Sequence, residues 1–282
     1  MREVPAVIGR LVRRQPLGAA GGLIVVVLIA VAVLAPRLAP HGPKEATFTP
    51  YLAPSAEFPM GTDQLGRDVL SRVIWGARLS LYVGLVSVVF GITAGSLWGA
   101  VTAYLGGAAD TGSQRVVDSV MALPPIILAL ALMAALGQSV NNVIIALVVL
   151  LTPTAARTIR SIALGIAASP YMESARAVGA TNWRIISRHL IPNCMAGYIV
   201  LVTTNVSYAI VVEASLSFIG AGAPPDEPSW GGMLTAGIQA LETAPWMVFF
   251  PGVAISLAVF GLNLFGDSIR DVTDPRLRGG LG

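Results

Sequence analysis

The sequence is short of the residues that carry out most chemistry. Its 282 residues include one cysteine, Cys194, and two histidines, His41 and His189. A lone cysteine forms no internal disulfide and says nothing about redox compartment. There is no His-Glu-x-x-His pattern and no Gly-x-Ser-x-Gly turn, which argues against a metalloenzyme or a membrane protease. Lysine occurs once, at Lys44, so no Gly-x-x-x-x-Gly-Lys loop exists and the chain has no P-loop of its own for ATP. Charge is scarce as well. Only 12% of residues are Asp, Glu, Lys or Arg, against about 25% in a soluble domain. The net charge of +3 comes from arginines spread along the chain, which speaks against a nucleic-acid surface.

What remains is apolar: 55% hydrophobic residues and a mean hydropathy of +0.74. A membrane-spanning helix needs about 20 such residues in a row. Leu17–Ala35 is charge-free and gives span 1; it is longer than a signal-peptide core and lacks a clean cleavage site. Leu79–Ala109 gives span 2. Ser119–Ala156 is charge-free but too long for one helix, and Gly137–Asn142 ("GQSVNN") divides it into spans 3 and 4. Leu190–Phe218 is span 5, with Glu213 its only charge, and Thr243–Gly266 is span 6. None of the runs alternates polar with apolar as barrel strands do. The expected fold is an all-α polytopic membrane protein with six transmembrane helices.

Basic residues orient it. With the N-terminus inside, the inner segments hold thirteen arginines, among them Arg2, Arg10, Arg13, Arg14, Arg276 and Arg278. The outer segments hold five basic residues: Arg37, Lys44, Arg67, Arg72 and Arg78. The positive-inside rule therefore places both termini in the cytoplasm. Residues 1–78 form the N-terminus, first helix and an extracytoplasmic segment, 79–267 the core, and 268–282 a cytoplasmic tail.

One cytoplasmic connection is unusually charged: "YMESARAVGATNWRIISRHLIPN", Tyr171 to Asn193. Its pattern predicts two short helices meeting at Gly179. Pro170 suits a helix start, Gly179 a C-terminal turn and Asn182 an N-cap. Tyr171, Ser174, Ala175 and Val178 fall on one face; Trp183, Ile186 and Leu190 fall on another. Pro192 marks entry to span 5. The small residues Ser174, Ala175, Ala177, Gly179 and Ala180 allow another protein to approach closely. From these residues alone, a surface loop lying on anionic lipid remains open.

The segment resembles the EAA loop of bacterial ATP-binding-cassette importer permeases. Glu173, Ala175, Gly179 and Pro192 are in register with that motif; Ser174 replaces an alanine, and His189 and Ile191 replace an isoleucine and a leucine. The resemblance implies that residues 169–192 couple to an ATPase subunit, through Tyr171, Glu173, Ser174, Ala175, Arg176, Gly179, Ala180, Arg184 and Pro192. Met60–Leu81, Glu213–Leu234 and Gly266–Gly279 are similar to the second permease of dipeptide, oligopeptide and nickel importers. This implies the type I importer permease fold, a heterodimer with a homologous permease, two ATPase domains that bind ATP and Mg, an extracytoplasmic binding protein, and no cofactor in this chain. An ion-gradient-driven secondary transporter is the competing class, but no inverted repeat is evident. Cargo could be peptide, nickel, haem or glutathione.

Other residues invite expectations. Asp63 with Arg67, and Asp68 with Arg72, are each spaced for ion pairs on a helical turn. They read as an exposed structural turn or as a contact for the binding protein. Glu213 either lines the path or bonds to a neighbouring helix. Gly91, Gly95 and Gly99 form a stripe for close helix packing, more readily within the chain than outside it. Arg115 and Asp118 read as interfacial anchors. Gly222–Gly232 reads as a loop, and Trp230 and Trp246 as aromatic-belt residues.

Overall fold

The computed structural model describes residues 16–46 and 48–273. Helix α1 is Pro16–Leu38, α2 Val69–Leu105, α3 Gly107–Met121, α4 Pro125–Leu136 and α5 Val140–Ala167. They are followed by α6 Pro170–Ala177, α7 Asn182–Ile185, a π-helical turn Ile186–Leu190, α8 Ile191–Phe218, α9 Trp230–Ile238 and α10 Trp246–Thr273. Among the described residues there is no strand, only an isolated bridge between Thr62 and Asp68. The arginines at 2, 10, 13, 14, 276 and 278, and the tail beyond 273, lie outside the described residues.

Glycine sets how closely the helices approach. The Gly91–Gly95–Gly99 stripe of α2 packs against α5 within the chain, as expected. A Cβ added to Gly95 would sit 2.2 Å from the carbonyl oxygen of Thr152, and one on Gly99 2.1 Å from that of Ala156. The backbones touch there because nothing stands between them, and the hydroxyl of Thr152 adds a bond to the Gly91 carbonyl at 3.3 Å. α1 leans on α10 in the same way, with Gly21 against Gly261 and Leu264. The main apolar core lies between α2, α5 and α8, around Ile92, Leu147, Leu151 and Ile210. A second, smaller core of Ile159, Met172, Ile185 and Leu190 lies beneath the 170–190 element.

Several boundaries differ from the sequence reading. Span 2 begins at Val69, not Leu79, and carries Arg72 and Arg78 into the helix. Span 4 runs on to Ala167 and span 6 on to Thr273. Gly231 and Gly232 belong to α9 rather than to a loop. Span 3 is not one straight helix, since α3 and α4 meet at an angle of 87°. Pro124 and Pro125 account for the break: neither has an N–H to continue the helix, and a proline disfavours the helical conformation before it. With 12 residues, α4 is about 18 Å long at 1.5 Å per residue, short of the roughly 30 Å hydrocarbon core. Five described helices are long and apolar enough to cross a membrane, and the bent α3–α4 pair makes a sixth.

Candidate functional site: an outward-facing helical element and a buried polar end

The charged connection folds as a compact platform. Pro170 is the first residue of α6, as its lack of an N–H favours. The helix ends in a Schellman turn: Gly179 N–H bonds to the Arg176 carbonyl at 2.9 Å and Ala180 N–H to the Ala175 carbonyl at 3.2 Å. Gly179 has φ +77°. A Cβ there would meet nothing within 4 Å, so the backbone conformation, not space, calls for glycine. Thr181, not Asn182, caps the next helix, accepting from Arg184 N–H. Asn182 already lies in the first turn and accepts instead from the hydroxyl of Tyr104 at 3.0 Å. Arg176 stacks over the Tyr104 ring at 5.6 Å, and the Tyr171 hydroxyl pairs with the His189 ring.

Pro192 stands in the first turn of α8, as expected, but the chain does not break there. α7, the π turn and α8 form one unbroken helix from Asn182 to Phe218. Pro192 can give no hydrogen bond to the Arg188 carbonyl, and its ring would press on that oxygen in an α-helix. The wider π turn, closed by Ile191 N–H on the Ile186 carbonyl, relieves both. The expected faces are also redistributed. Ala175 is buried beside Met172, opposite Tyr171, Ser174 and Val178. Ile186 and Leu190 are buried while Trp183 is not. The inner side is claimed by the long apolar residues Met172, Ile185 and Leu190. Val178 and Trp183, at 83% and 77% exposure, face outward with Glu173, Arg176 and Arg184 around them.

At the start of α2, Asp63, Arg67, Asp68 and Arg72 are all buried, which corrects the reading of an exposed turn. The expected Asp63–Arg67 pair forms, and the expected Asp68–Arg72 pair does not. Asp63 takes the Arg67 Nε at 2.6 Å and the amides of Leu65 and Arg67. Arg72 does not pair with Asp68; its Nε lies 3.7 Å from Asp63 and its Nη1 donates to the Pro43 carbonyl at 2.8 Å. Asp68 is occupied as the N-cap of α2, accepting from the amides of Leu70 and Ser71 and from the Ser71 hydroxyl. Each of the four charges finds a partner inside the protein. The turn that brings Arg67 back onto Asp63 uses Gly66 at φ +69°. Pro43 and Ser71 carry no motif in the sequence; Asp68 followed by an apolar run is a legible capping signal.

Glu213 is 1% exposed. Its carboxylate accepts from Ser80 of α2 at 3.1 Å and from Ser217 at 2.9 Å, so in this conformation it faces protein rather than an opening. Trp230 is buried too and donates to the Val73 carbonyl at 2.9 Å; it is a packing residue, not a belt residue. Trp246, half-buried, donates to the Thr62 carbonyl at 3.2 Å. Asp118 bonds Arg157 of α5, and Asp110 bonds Arg160 at 2.6 Å, so these acids hold α3 to α5. Among the described residues no group of three His, Cys, Asp or Glu could hold a metal.

Residues 88–279 match the family described as "binding-protein-dependent transport system inner membrane component", and residues 8–64 match the N-terminal transmembrane domain of oligopeptide transport permease C. The chain belongs to this family of inner-membrane permeases. It is 41% identical over 271 residues to a Brucella suis biovar 1 protein provisionally named a peptide transport system permease, covering 95% of this chain and 90% of that one. It is 38% identical to the glutathione transport system permease of Pectobacterium atrosepticum, over 94% and 89% of the two chains. It is 39% identical to the di/tripeptide transport system permease of Pseudomonas aeruginosa, over 93% and 89%. Its fold is similar to inward-facing structures of the MetNI methionine ABC transporter, with a TM-score of 0.59 at 21% identity, covering 72% of this chain and 96% of that one. The chain is thus a multi-pass membrane transport subunit with the type I importer permease fold.

Proposed function

We propose that this chain forms half of the path by which di- or oligopeptides enter the cell, driven by partner ATPases. The observation that carries the coupling role is the platform itself: a rigid turn at Gly179 with Val178 and Trp183 turned away from the bundle. Exposed large apolar residues beside charges suit a protein partner. The peptide cargo is supported by the relatives' names. The remaining parts are a homologous permease as the other half, two ATPase domains holding ATP and Mg, and an extracytoplasmic binding protein. This chain supplies no catalytic group and no cofactor. The arginine distribution supports cytoplasmic termini, with the platform on the ATPase side and the Asp63–Arg72 end outside. Those four residues are mostly buried and brace the surface a binding protein would meet, with Asp63, Arg67 and Arg72 lining a pocket there. ATP-driven closure of the ATPases would move the platform and, with it, the packed helices, a rigid-body switch.

The test is reconstitution of the full transporter in vesicles with its binding protein. ATP-dependent accumulation of a labelled dipeptide is expected. Uptake that persists without ATPase subunits, or that follows an ion gradient instead, would overturn the proposal.

A further inference from the structure

We infer that the cleft between the α3–α4 bend, α5 and α8 is this chain's wall of the translocation path, and that Asn205, Tyr208 and Thr154 meet the cargo's peptide bonds there. The inference rests on the peptide-permease reading above. The cleft holds about 250 Å³ and is lined mainly by apolar residues, among them Val120, Leu128 and Leu150. Three side chains with hydrogen-bonding groups interrupt that lining: Thr154, Asn205 and Tyr208. Pro153 and Asn205 each stand near the middle of a 28-residue helix, so the cleft is at mid-depth. Polar groups at that depth face protein or a watery cavity, because hydrocarbon offers them no partner.

Their chemistry suits an amide. The Asn205 Nδ2 donates one hydrogen to the Leu201 carbonyl at 2.8 Å, which leaves a second hydrogen and the Oδ1 acceptor. That is one donor and one acceptor, the complement of one peptide unit. Pro153 sits in the cleft wall and, having no N–H, leaves the Val149 carbonyl without its helical donor. No charged side chain lines the cleft, so side-chain charge on the cargo is not read here. Such contacts recognise the feature common to all peptides. They are also weak enough to release it, as a conducting path requires.

The open face continues beyond the cleft. On α5, Thr154, Arg157, Thr158 and Ser161 are all exposed on one side at helical spacing. Arg157 and its partner Asp118 remain half-exposed while bonded to each other. This polar track leads from the cleft toward the platform end of α5.

The experiment uses the whole reconstituted transporter with Cys194→Ala, which removes the native thiol. Asn205→Cys and Tyr208→Cys are expected to react with a charged, membrane-impermeant methanethiosulfonate, and excess alanylalanine is expected to slow both several-fold. Val26→Cys, on the exposed side of α1, should react only with a lipid-soluble maleimide. In uptake, Asn205→Leu is expected to raise the KM for alanylalanine several-fold, with Asn205→Gln close to wild type. Failure of the charged reagent to reach position 205, absence of peptide protection, or an unchanged KM in Asn205→Leu overturns the inference. Absence of peptide uptake by the wild-type transporter would instead overturn the function proposed above.

Discussion

The two ends of the bundle are finished in opposite ways. Around the start of α2 four charged side chains turn inward: Asp63, Arg67, Asp68 and Arg72 are buried, while nearby Lys44 reaches across to Glu227 at 2.7 Å. Around α6 and α7 the polar and large apolar groups turn outward, with Val178 and Trp183 the most exposed. Both segments depend on a glycine at positive φ, Gly66 and Gly179. At Gly66 a Cβ would lie 2.0 Å from the Phe48 carbonyl oxygen, whereas at Gly179 it would meet open space. At one end the four charges are satisfied by the chain's own atoms. The other holds its shape and leaves large apolar side chains exposed.

Substitutions can break that contrast. The largest effect is expected from Asp63→Ala. It leaves two buried guanidiniums sharing no carboxylate, a loss of about 3–5 kcal/mol. The amount of folded permease in the membrane should fall sharply, measured by thermal aggregation in detergent. A stability equal to wild type would show that water reaches this end freely. Gly99→Val comes next. Its side chain must enter the space held by the Ala156 carbonyl, and overpacking of this kind costs roughly 1–3 kcal/mol. The melting temperature should drop, and an unchanged value would mean that α2 and α5 are farther apart than described.

At the other end the effects on folding should be smaller and the effects on assembly larger. Gly179→Ala places a Cβ at φ +77°, a local cost of about 1 kcal/mol or more. Gly179→Asp adds bulk and charge on the outward surface. Both should insert normally, and Gly179→Asp should lose more ATPase in co-purification and more uptake than Gly179→Ala. Normal docking and uptake in Gly179→Asp would leave the platform as a lipid-surface element. The smallest folding effect is expected for Trp183→Ala, within about 0.5 kcal/mol, yet ATPase co-purification should fall. A stability loss without a docking loss would reverse the comparison.

The sequence announced its spans because long charge-free runs have few other uses, and it announced the platform through Pro170 and Gly179. It was less informative where residues far apart satisfy one another. Arg72 and Arg78 looked like the edge of a span. Only the fold brings Pro43 and Asp63 to Arg72, which lets α2 start at Val69. Trp230 looked like a belt residue until Val73 appeared at its indole N–H. Pro124 and Pro125 signal the bend in α3–α4, but a count of charge-free length passes over them. The π turn before Pro192 had only that proline as a signal. Asn205 and Tyr208 carry no motif at all, and they become a candidate site through the company that the α3–α4 bend and Pro153 give them.

The unbroken helix from Asn182 to Phe218 has a mechanical consequence. Its 37 residues span roughly 55 Å at 1.5 Å per residue. Trp183 stands at one end and Glu213, clasped by Ser80, near the other. Such a rod acts as a lever. Rocking it by about 10° around its middle displaces each end by roughly 5 Å, a figure that follows from that same length. With Asn205 close to the fulcrum, a push on the platform swings both ends and disturbs the mid-depth cleft least.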